Sequence, residues 1–486
     1  MQRKRWIQGT VVAAAVAWTG MQSIARADDS QSVADLANQV ADLKAQLAQV
    51  KATQEENWLT QERTDQIKAI VEDVLNDAKT RGQFADGPNF GYNNGFFVQT
   101  DNQMFRFQAN GYLQFRYTYS HDEAHNQQAF SSGAQKAGDV SGFDFRRARL
   151  IFSGYAFNPN LTYMLSGDFA GDSSNNNDFQ TLDIYMAYKF NDLFAIRAGS
   201  FLTPYSRLEY ISSGLEGTDF PVIFNPFDPV RTLGVSVYGT PIKDKLTYEV
   251  NVNNGQKSNT AGRAAEIGGK NDNRLAFYSR VQFAGAGAIA DFNDEPDLRK
   301  DTSSLAWMLG AAAGWESANS SSSAFPGTQA NTSLPGFSTI DSPGFTSYTY
   351  NGDLYRGTVD FAAKYHGFAF NSALFLQQVN QNSGVSAPSS IRDTSLFEMG
   401  YFGQLGYMFA PKWEAYGRFG QLLTEGGPNR MEEYAGGLNY YLFGQNAKIQ
   451  GEAVYVPNEA AFSSSTASTS ANTQDLIFRL QLQLKF

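Results

Sequence analysis

Three arginines lie within a run of four residues, at Arg146, Arg147 and Arg149, and the segment around them is largely apolar. A guanidinium group donates two parallel hydrogen bonds, and this fork matches the oxygens of phosphate, carboxylate and sulfate. The cluster therefore predicts attraction of small oxyanions. In an extended strand Arg147 and Arg149 share one side, and Arg146 is expected on the other side.

The sequence offers little for nucleophilic or acid–base catalysis. It contains three histidines, His121, His125 and His366, and no cysteine. The first two share a predicted loop and the third lies in a predicted tight turn, so a triad such as that of an outer-membrane protease or lipase is hard to assemble. A zinc site at His121 and His125 is disfavoured. We expect no enzyme activity, no metal and no cofactor, although carboxylate chemistry without histidine stays open.

The last twelve residues indicate the kind of element that carries these side chains. Apolar and polar residues alternate there: one side holds Leu476, Phe478, Leu480, Leu482, Leu484 and Phe486, and the other holds Asp475, Arg479, Gln481, Gln483 and Lys485. Successive side chains of a strand point to opposite faces, so this strand is apolar on one face and hydrated on the other. Its length and terminal aromatic residue suit a transmembrane β-barrel, and the alternative is a soluble sandwich.

The same two-residue period recurs throughout the C-terminal four-fifths of the chain. We count about 16 runs, at roughly 104–118, 145–156, 161–169, 181–190, 193–201, 232–239, 245–254, 273–284, 304–315, 354–365, 368–378, 396–409, 412–421, 432–443, 446–455 and 474–486. Long and short connections alternate between them, except that 285–303 should be short and is not. This asymmetry predicts an all-β transmembrane barrel of about 16 antiparallel strands, or 18 if Phe96–Gln99 adds a strand pair.

Two segments precede the predicted barrel at 104–486. Residues 1–27 combine basic residues, a short apolar run and a small-residue cleavage site, which predicts a signal peptide rather than a retained anchor. Residues 28–81 repeat apolar residues at three- and four-residue steps, which predicts a periplasmic α-helical coiled coil between copies of the chain. The alternative is a single helix that lies on the barrel. Residues 82–103 form a predicted linker.

The charge distribution favours anions inside the barrel. The chain has a net charge of −10, which argues against a nucleic-acid partner. On the inward side of the strands, however, basic residues outnumber acidic ones by about two to one. The predicted pore-lining, anion-attracting residues are Arg106, Arg116, Arg147, Arg149, Arg197, Arg231, Arg274, Arg280, Arg356 and Arg418. The alternative is that salt bridges inside the barrel cancel this preference. Arg146 is expected to face lipid unless it lies near the interface, where it can snorkel.

The connection 202–230 is the predicted constriction. It carries four prolines and many aromatic residues, and a stiff loop of this length is expected to fold inward and set the pore width. A surface cap is the alternative. The charged residues that such a loop would bring into the pore are Arg207, Glu209, Glu216, Asp219 and Asp228.

Three segments resemble the phosphate-selective porin family of the O and P type: 145–150 (FRRARL), 199–206 (GSFLTPYS) and 231–239 (RTLGVSVYG). The resemblance extends over about 104–486 and implies a trimeric outer-membrane porin with an arginine-lined pore. It assigns anion-attracting roles to Arg147, Arg149 and Arg231. Residues 224–227 read Phe-Asn-Pro-Phe where the family has a Glu-Arg-Ser stretch, so the identity of the anion stays open.

Together these features predict a passive channel in the outer membrane of a Gram-negative-type bacterium. Its expected partners are outer-membrane lipid, two further copies of the chain, small anionic or neutral solutes and, through the coil, the cell wall. One alternative is a general or sugar-type porin, for which inward tyrosines are available at Tyr112, Tyr185, Tyr278 and Tyr416. The other is a structural or adhesive outer-membrane protein.

Overall fold

A computed structural model describes residues 38, 41–45, 90–122, 139–170, 180–229, 231–255, 274–319, 351–381, 395–424, 430–457 and 475–486. The chain divides into two units, 1–86 and 87–486. In the first unit the described residues 38 and 41–45 are helical and exposed. The signal peptide, most of the coiled coil and residues 82–89 of the linker lie outside the described residues, and they stay predictions. The rest of the predicted linker, 90–103, is described and contains two short strands, Phe90–Tyr92 and Phe96–Gln99.

The second unit consists of antiparallel β-strands whose alternating sequences produce one apolar and one polar face. They are β1 (Phe90–Tyr92), β2 (Phe96–Gln99), β3 (Phe105–Asp122), β4 (Asp139–Ala156), β5 (Leu161–Asp168), β6 (Gln180–Lys189), β7 (Ala195–Leu202), β8 (Arg231–Ile242), β9 (Leu246–Asn253), β10 (Ala276–Ala286), β11 (Ala306–Asn319), β12 (Asn351–Tyr365), β13 (Phe368–Gln381), β14 (Ser395–Ala410), β15 (Trp413–Thr424), β16 (Arg430–Tyr441), β17 (Ala447–Val456) and β18 (Asp475–Lys485).

Strands β3 to β18 form a closed ring. Each pairs with the next in sequence, and β18 closes the ring on β3, from Asp475 opposite Asp122 to Lys485 opposite Tyr112. The prediction of about 16 barrel strands is therefore confirmed. The hairpin β1–β2 is additional: β2 pairs with the start of β3, beyond the end of β18, so it lengthens the wall without widening the ring.

The ring is apolar outside and polar inside. On β18, Leu480 is 56% exposed, whereas the neighbouring Arg479 and Gln481 are buried inside the ring. This is the arrangement expected when lipid covers the outer face and water or polar side chains fill the lumen. Among the described residues no helix is both long enough and apolar enough to cross a membrane.

The two ends of the ring differ. The end that carries the start of β3, the C-terminal Phe486 and the tight turns is called the turn rim, and the opposite end is called the loop rim. At the turn rim, His366 and Gly367 both have positive φ values, of 51° and 81°, and they join β12 to β13 directly. A two-residue turn of this hand matches the twist of the strands that it connects.

Among the connections that the structure describes, two fold into the lumen. The first, 203–230, joins β7 to β8 at the loop rim and is called the constriction loop. It contains the short helix α1 (Arg207–Tyr210) and a 3-10 helix, Val222–Phe227. The second, 287–305, joins β10 to β11 at the turn rim and is called the inward turn. It contains a 3-10 helix, Ile289–Phe292, whose Phe292 is buried against inward-facing residues of β11 and β12.

An apolar core inside the lumen holds the constriction loop. The Phe375 ring on β13 lies 5.2 Å from the Phe224 ring and 5.6 Å from the Phe227 ring, measured between centroids. Phe402 on β14 and Leu422 on β15 belong to the same buried cluster. Aromatic contacts of this kind contribute about 0.5–1.5 kcal/mol each beyond area burial. The Phe-Asn-Pro-Phe segment therefore anchors the loop to the barrel wall.

Candidate functional site

The arginine-rich strand contains a β-bulge that the two-residue period does not reveal. Gln114 on β3 pairs with Arg147 on β4, but the next residue, Phe115, pairs with Phe145, so Arg146 is the inserted residue. The bulge turns Arg146 into the lumen, where it binds Asp219, while Phe145 stays on the outer face. The expectation that Arg146 faces lipid was wrong, because a bulge reverses the alternation locally.

Asp219 of the constriction loop lies among three arginines of β3 and β4. Arg146 donates from Nε and Nη2 to its two carboxylate oxygens at 2.7 and 2.8 Å. Arg116 Nη1 lies 3.2 Å and Arg147 Nη2 3.8 Å from the same carboxylate. Burial opposes the charge, but the three guanidinium groups hold the pKa of Asp219 well below its usual range. Asp144 also pairs with Arg116, so three positive charges face two negative ones. These residues are called the Asp219 cluster.

Glu216, three residues earlier in the loop, lies among other carboxyl groups. Its backbone N–H donates to Glu295 Oε2 of the inward turn at 2.7 Å, and its Oε2 accepts from Gln404 Nε2 of β14 at 2.7 Å. Its side chain also contacts Glu414 of β15. Burial, and next the charges of Glu414 and Glu295, raise the pKa of Glu216 well above its usual range. These four residues are called the Glu216 cluster.

Side chains of β17 hold the loop backbone at and between the two clusters. Gln450 Nε2 donates to the carbonyl oxygen of Glu216 at 2.9 Å, and Lys448 Nζ donates to that of Leu215 at 2.7 Å. Thr218 donates to Glu452 through both its backbone N–H and its hydroxyl. Every one of these wall residues is buried, so the loop fills this half of the lumen.

Partly accessible ion pairs line the opposite wall, β4 to β9. Arg149 Nε lies 2.9 Å from Asp168 Oδ2, Arg231 Nε lies 3.1 Å from Asp183 Oδ1, and Arg197 pairs with Glu249. The side chains of the three arginines are 15–16% exposed. These six residues, Arg149, Arg197, Arg231, Asp168, Asp183 and Glu249, are called the paired wall.

Aromatic rings and the helix α1 complete the paired wall. The Arg197 guanidinium lies 4.1 Å from the centroid of the Phe201 ring and 5.2 Å from that of Tyr185. Tyr210 of α1, which is 44% exposed, also lies near Arg197. Rings at these distances stabilise a guanidinium group without neutralising it.

The other predicted arginines lie behind the constriction loop or at a rim. Arg280 pairs with Asp360 at 2.7 Å, and Arg418 pairs with Glu433 at 2.7 Å. Arg356 donates to Gln377 at 2.7 Å. The two at the rims are Arg106, which contacts Gln99 and Gln108 of the turn rim, and Arg274, which donates to Ser317 near the loop rim. At least seven of the ten predicted arginines thus lie in ion pairs within the described structure, which strengthens the alternative that internal pairing reduces selectivity.

The remaining predicted loop residues have different environments. Arg207 is buried and donates to the Phe292 carbonyl oxygen of the inward turn and to Asn371 of β13. Glu209 and Asp228 are half-buried. Sequence reasoning did not identify Glu295 as part of the site, although the unusual length of its connection was the available signal.

The inward tyrosines do not form a continuous slide for sugars among the described residues. Tyr112 bonds to Ser212, and Tyr416 donates to Glu452, both beneath the constriction loop. Tyr278 is buried against Tyr205. Tyr185 lies beside Arg197 of the paired wall, and the ring centroid of Tyr112 lies 5.7 Å from the Arg149 guanidinium. Within the described ranges no group of three or more His, Cys, Asp or Glu side chains is arranged to hold a metal, and His125 lies outside those ranges.

Comparison with known proteins supports part of the resemblance drawn from the sequence. Residues 123–217 match the family described as "Phosphate-selective porin O and P". This stretch contains two of the three resembling segments, at 145–150 and 199–206, and the resemblance to this family is confirmed there. No curated protein matches the chain in sequence.

The solved structures to which this chain is similar have low sequence identity with it. An anion-selective porin from Comamonas acidovorans aligns over 79% of this chain and 100% of its own, with 13% identity and a TM-score of 0.49. The DcaP channel of Acinetobacter baumannii aligns over 80% and 99%, with 12% identity and a TM-score of 0.48. OprB of Pseudomonas putida aligns over 78% and 94%, with 9% identity and a TM-score of 0.44.

Proposed function

We propose that this chain, which matches the phosphate-selective porin family over residues 123–217, is a passive outer-membrane channel for small hydrophilic solutes that prefers anions. The closed ring with an apolar outer face and a polar lumen supports the channel. Solutes would cross down their own gradients, so the function needs neither a cofactor nor an energy source.

The Asp219 cluster is the observation that carries the anion preference. Three guanidinium groups face two carboxylates where the constriction loop meets β3 and β4. In a narrow channel with low-dielectric walls, an excess positive charge raises the local concentration of anions. The bulge at Arg146 contributes one of these charges.

The route past the constriction loop follows the paired wall. Loop residues bury the lumen-facing side chains of β14 to β18, whereas Arg149, Arg197 and Arg231 keep part of their surface accessible. An anion would exchange hydrogen bonds with successive guanidinium groups along this wall. The paired carboxylates keep each contact weak enough for release.

A general porin without anion preference is the second candidate. The observation that favours it is the extent of pairing, since an arginine held by a carboxylate contributes little net field. The two candidates differ in one measurable quantity, the ratio of anion to cation permeability.

Zero-current potentials in planar bilayers under a potassium chloride gradient test the proposal. We expect the sign that indicates anion preference, and a loss of that preference in the double variant Arg147→Ala/Arg149→Ala. Lys189→Ala is the matched control, because this exposed cation pairs with Asp192 at the turn rim. A cation-selective potential in the unmodified protein would contradict the anion proposal, and absence of currents would contradict the channel.

We also propose that the channel is a homotrimer in the outer membrane of a Gram-negative-type bacterium, with its N-terminal coil in the periplasm. The family resemblance supports the trimer, and the barrel with its apolar outer face supports the location. Cross-linking in native outer membranes, followed by mass determination in mild detergent, would show trimers, and a monomer alone would contradict this assembly.

A further inference from the structure

The constriction loop and the inward turn meet inside the barrel, although they enter from opposite rims. The Glu295 N–H donates to the Gly214 carbonyl oxygen at 2.9 Å, and the Glu216 N–H donates to Glu295 Oε2 at 2.7 Å. Gln404 Nε2 bridges the two segments, at 2.7 Å from Glu216 Oε2 and 2.9 Å from Glu295 Oε2. The lumen is therefore narrowed by two segments that contact each other.

Two carboxyl groups at this junction each have one oxygen without another partner. Glu216 Oε1 and Glu414 Oε1 are buried and accept no hydrogen bond from a neighbouring donor. Their Oε2 atoms are bonded, that of Glu216 to Gln404, and that of Glu414 to Tyr441 at 2.5 Å and Asn439 at 2.8 Å. Since the two side chains contact each other, one proton between them would satisfy both orphan oxygens.

We propose that a proton shared by Glu216 and Glu414 fastens the constriction loop to β15 beside its junction with the inward turn, and that loss of this proton separates the loop from the wall and the inward turn and widens the channel. The inference rests on the proposed function, because a change in width has a consequence only if solutes pass. It adds a pH-controlled latch to that function.

The direction of the pH effect follows from the groups that face Glu216. They are Glu414 and Tyr416 of β15, Tyr441 of β16, Lys448 of β17, and Glu295 and Asp294 of the inward turn. Without the shared proton, Glu216, Glu295 and Glu414 carry three negative charges in a buried volume. The nearby cations are Lys448 and Arg418 of β15, and Arg418 is already paired with Glu433 and Glu452. Mutual repulsion then acts between the loop, the turn and the wall, so rising pH opens the latch and falling pH closes it.

Tightness of packing supports this location for the latch. A Cβ atom at Gly406 of β14 would lie 2.4 Å from Glu216 Oε1, so glycine leaves the space that the Glu216 carboxyl group fills. The inward turn is held separately to the wall, since Asp294 pairs with Lys364 of β12 at 2.7 Å. The loop and the turn can therefore part while the turn keeps its wall contact.

Infrared spectroscopy of the full-length protein in lipid vesicles tests the shared proton. We expect an absorption band of a protonated carboxyl group at neutral pH that disappears as the pH rises, and that is absent from Glu216→Gln. A spectrum without this band at neutral pH, or an unchanged band in the variant, would overturn the inference whether or not the protein conducts.

Single-channel conductance tests the latch itself. Between about pH 5 and about pH 9 the conductance of the unmodified protein should rise roughly two-fold or more, because conductance follows the free cross-section. Glu216→Gln should keep the low value at every pH, since its amide cannot ionise and still donates to Glu414. Glu414→Gln is the second variant if the first does not fold.

Asp301→Asn is the matched control, because this exposed carboxylate lies in the inward turn outside the Glu216 cluster. It should keep the pH response of the unmodified protein. Currents with the same pH response in Glu216→Gln would overturn the latch and leave the proposed channel intact. Complete absence of currents would instead contradict the proposed function, and the infrared result would still decide whether the proton is shared.

Discussion

Asp219 and Glu216 lie three residues apart on the same loop, but their charges have opposite surroundings. Asp219 faces three arginines of β3 and β4, and Glu216 faces the carboxyl groups of Glu295 and Glu414. Both side chains are buried. The difference shows that burial alone does not set the state of a carboxyl group: neighbouring cations keep Asp219 ionised, and neighbouring anions favour a proton on Glu216.

The comparison also explains how one loop can be both fixed and adjustable. A buried carboxylate among guanidinium groups is a permanent anchor, since losing either partner leaves an unpaired charge in a low dielectric. A carboxyl pair that shares a proton is an anchor only while the proton is present. The loop therefore has a charge-based attachment on the β3–β4 side and a proton-dependent one on the β14–β15 side.

The largest effect on stability is expected from a substitution in the Asp219 cluster. Asp219→Asn leaves three arginines facing a neutral amide, and we expect the free energy of unfolding at neutral pH to fall by about 3–5 kcal/mol. Glu216→Gln, which replaces a protonated carboxyl group with a neutral amide, should change it by less than about 1 kcal/mol. Urea unfolding in lipid vesicles measures both, and equal losses in the two variants would contradict the difference between the clusters.

A smaller effect is expected from filling the space beside Glu216. In Gly406→Ala the new methyl group would lie 2.4 Å from Glu216 Oε1, and displacement of that side chain should cost about 1–3 kcal/mol of unfolding free energy. Gly417→Ala on the adjacent strand is the matched control, because its Cβ meets no atom within 4 Å, and its effect should stay within about 0.5 kcal/mol. Similar values for both variants would show that Glu216 does not occupy this space.

The two clusters should also respond to pH in separate ranges. The pKa of Asp219 is lowered, so its contribution to stability is complete above the unfolded-state value of about 3.9 and is lost as the pH falls through and below it. The pKa of Glu216 is raised, so the folded state binds more protons than the unfolded state above about pH 4.3, and stability falls as the pH rises from there to the folded pKa.

Urea unfolding at a series of pH values separates these contributions. Asp219→Asn should lose the decrease in stability that occurs as the pH falls below about 3.9. Glu216→Gln should lose the decrease in stability that occurs as the pH rises above about 4.3. If one variant removed both slopes, the two carboxyl groups would not titrate independently.

The strand count and the outward face were predictable from sequence because both follow from local alternation. The run from Leu476 to Phe486 specifies which side faces outward, and its exposed leucines confirm it. The bulge at Arg146 was not predictable, because the residue types of β4 do not show which residue lacks a partner on β3. The partners of the site residues were also hidden, because they join distant positions: Arg116 and Asp219 are 103 residues apart.

The position of the inward turn was also not predictable from the sequence. Its length was visible as an exception to the alternation of long and short connections, but length alone does not say where a connection goes. Its position depends on the burial of Phe292 against β11 and β12 and on the pairing of Asp294 with Lys364, which require the closed ring. The position of the inward turn thus depends on long-range packing, which the local residue pattern does not reveal.

The central claim is that a positive excess around Asp219 gives the channel its preference for anions. The zero-current potential of Asp219→Asn in a potassium chloride gradient tests it most directly, because this variant removes one negative charge from the cluster and leaves its three arginines in place. We predict a higher ratio of anion to cation permeability than in the unmodified protein. An unchanged or lower ratio would contradict the account.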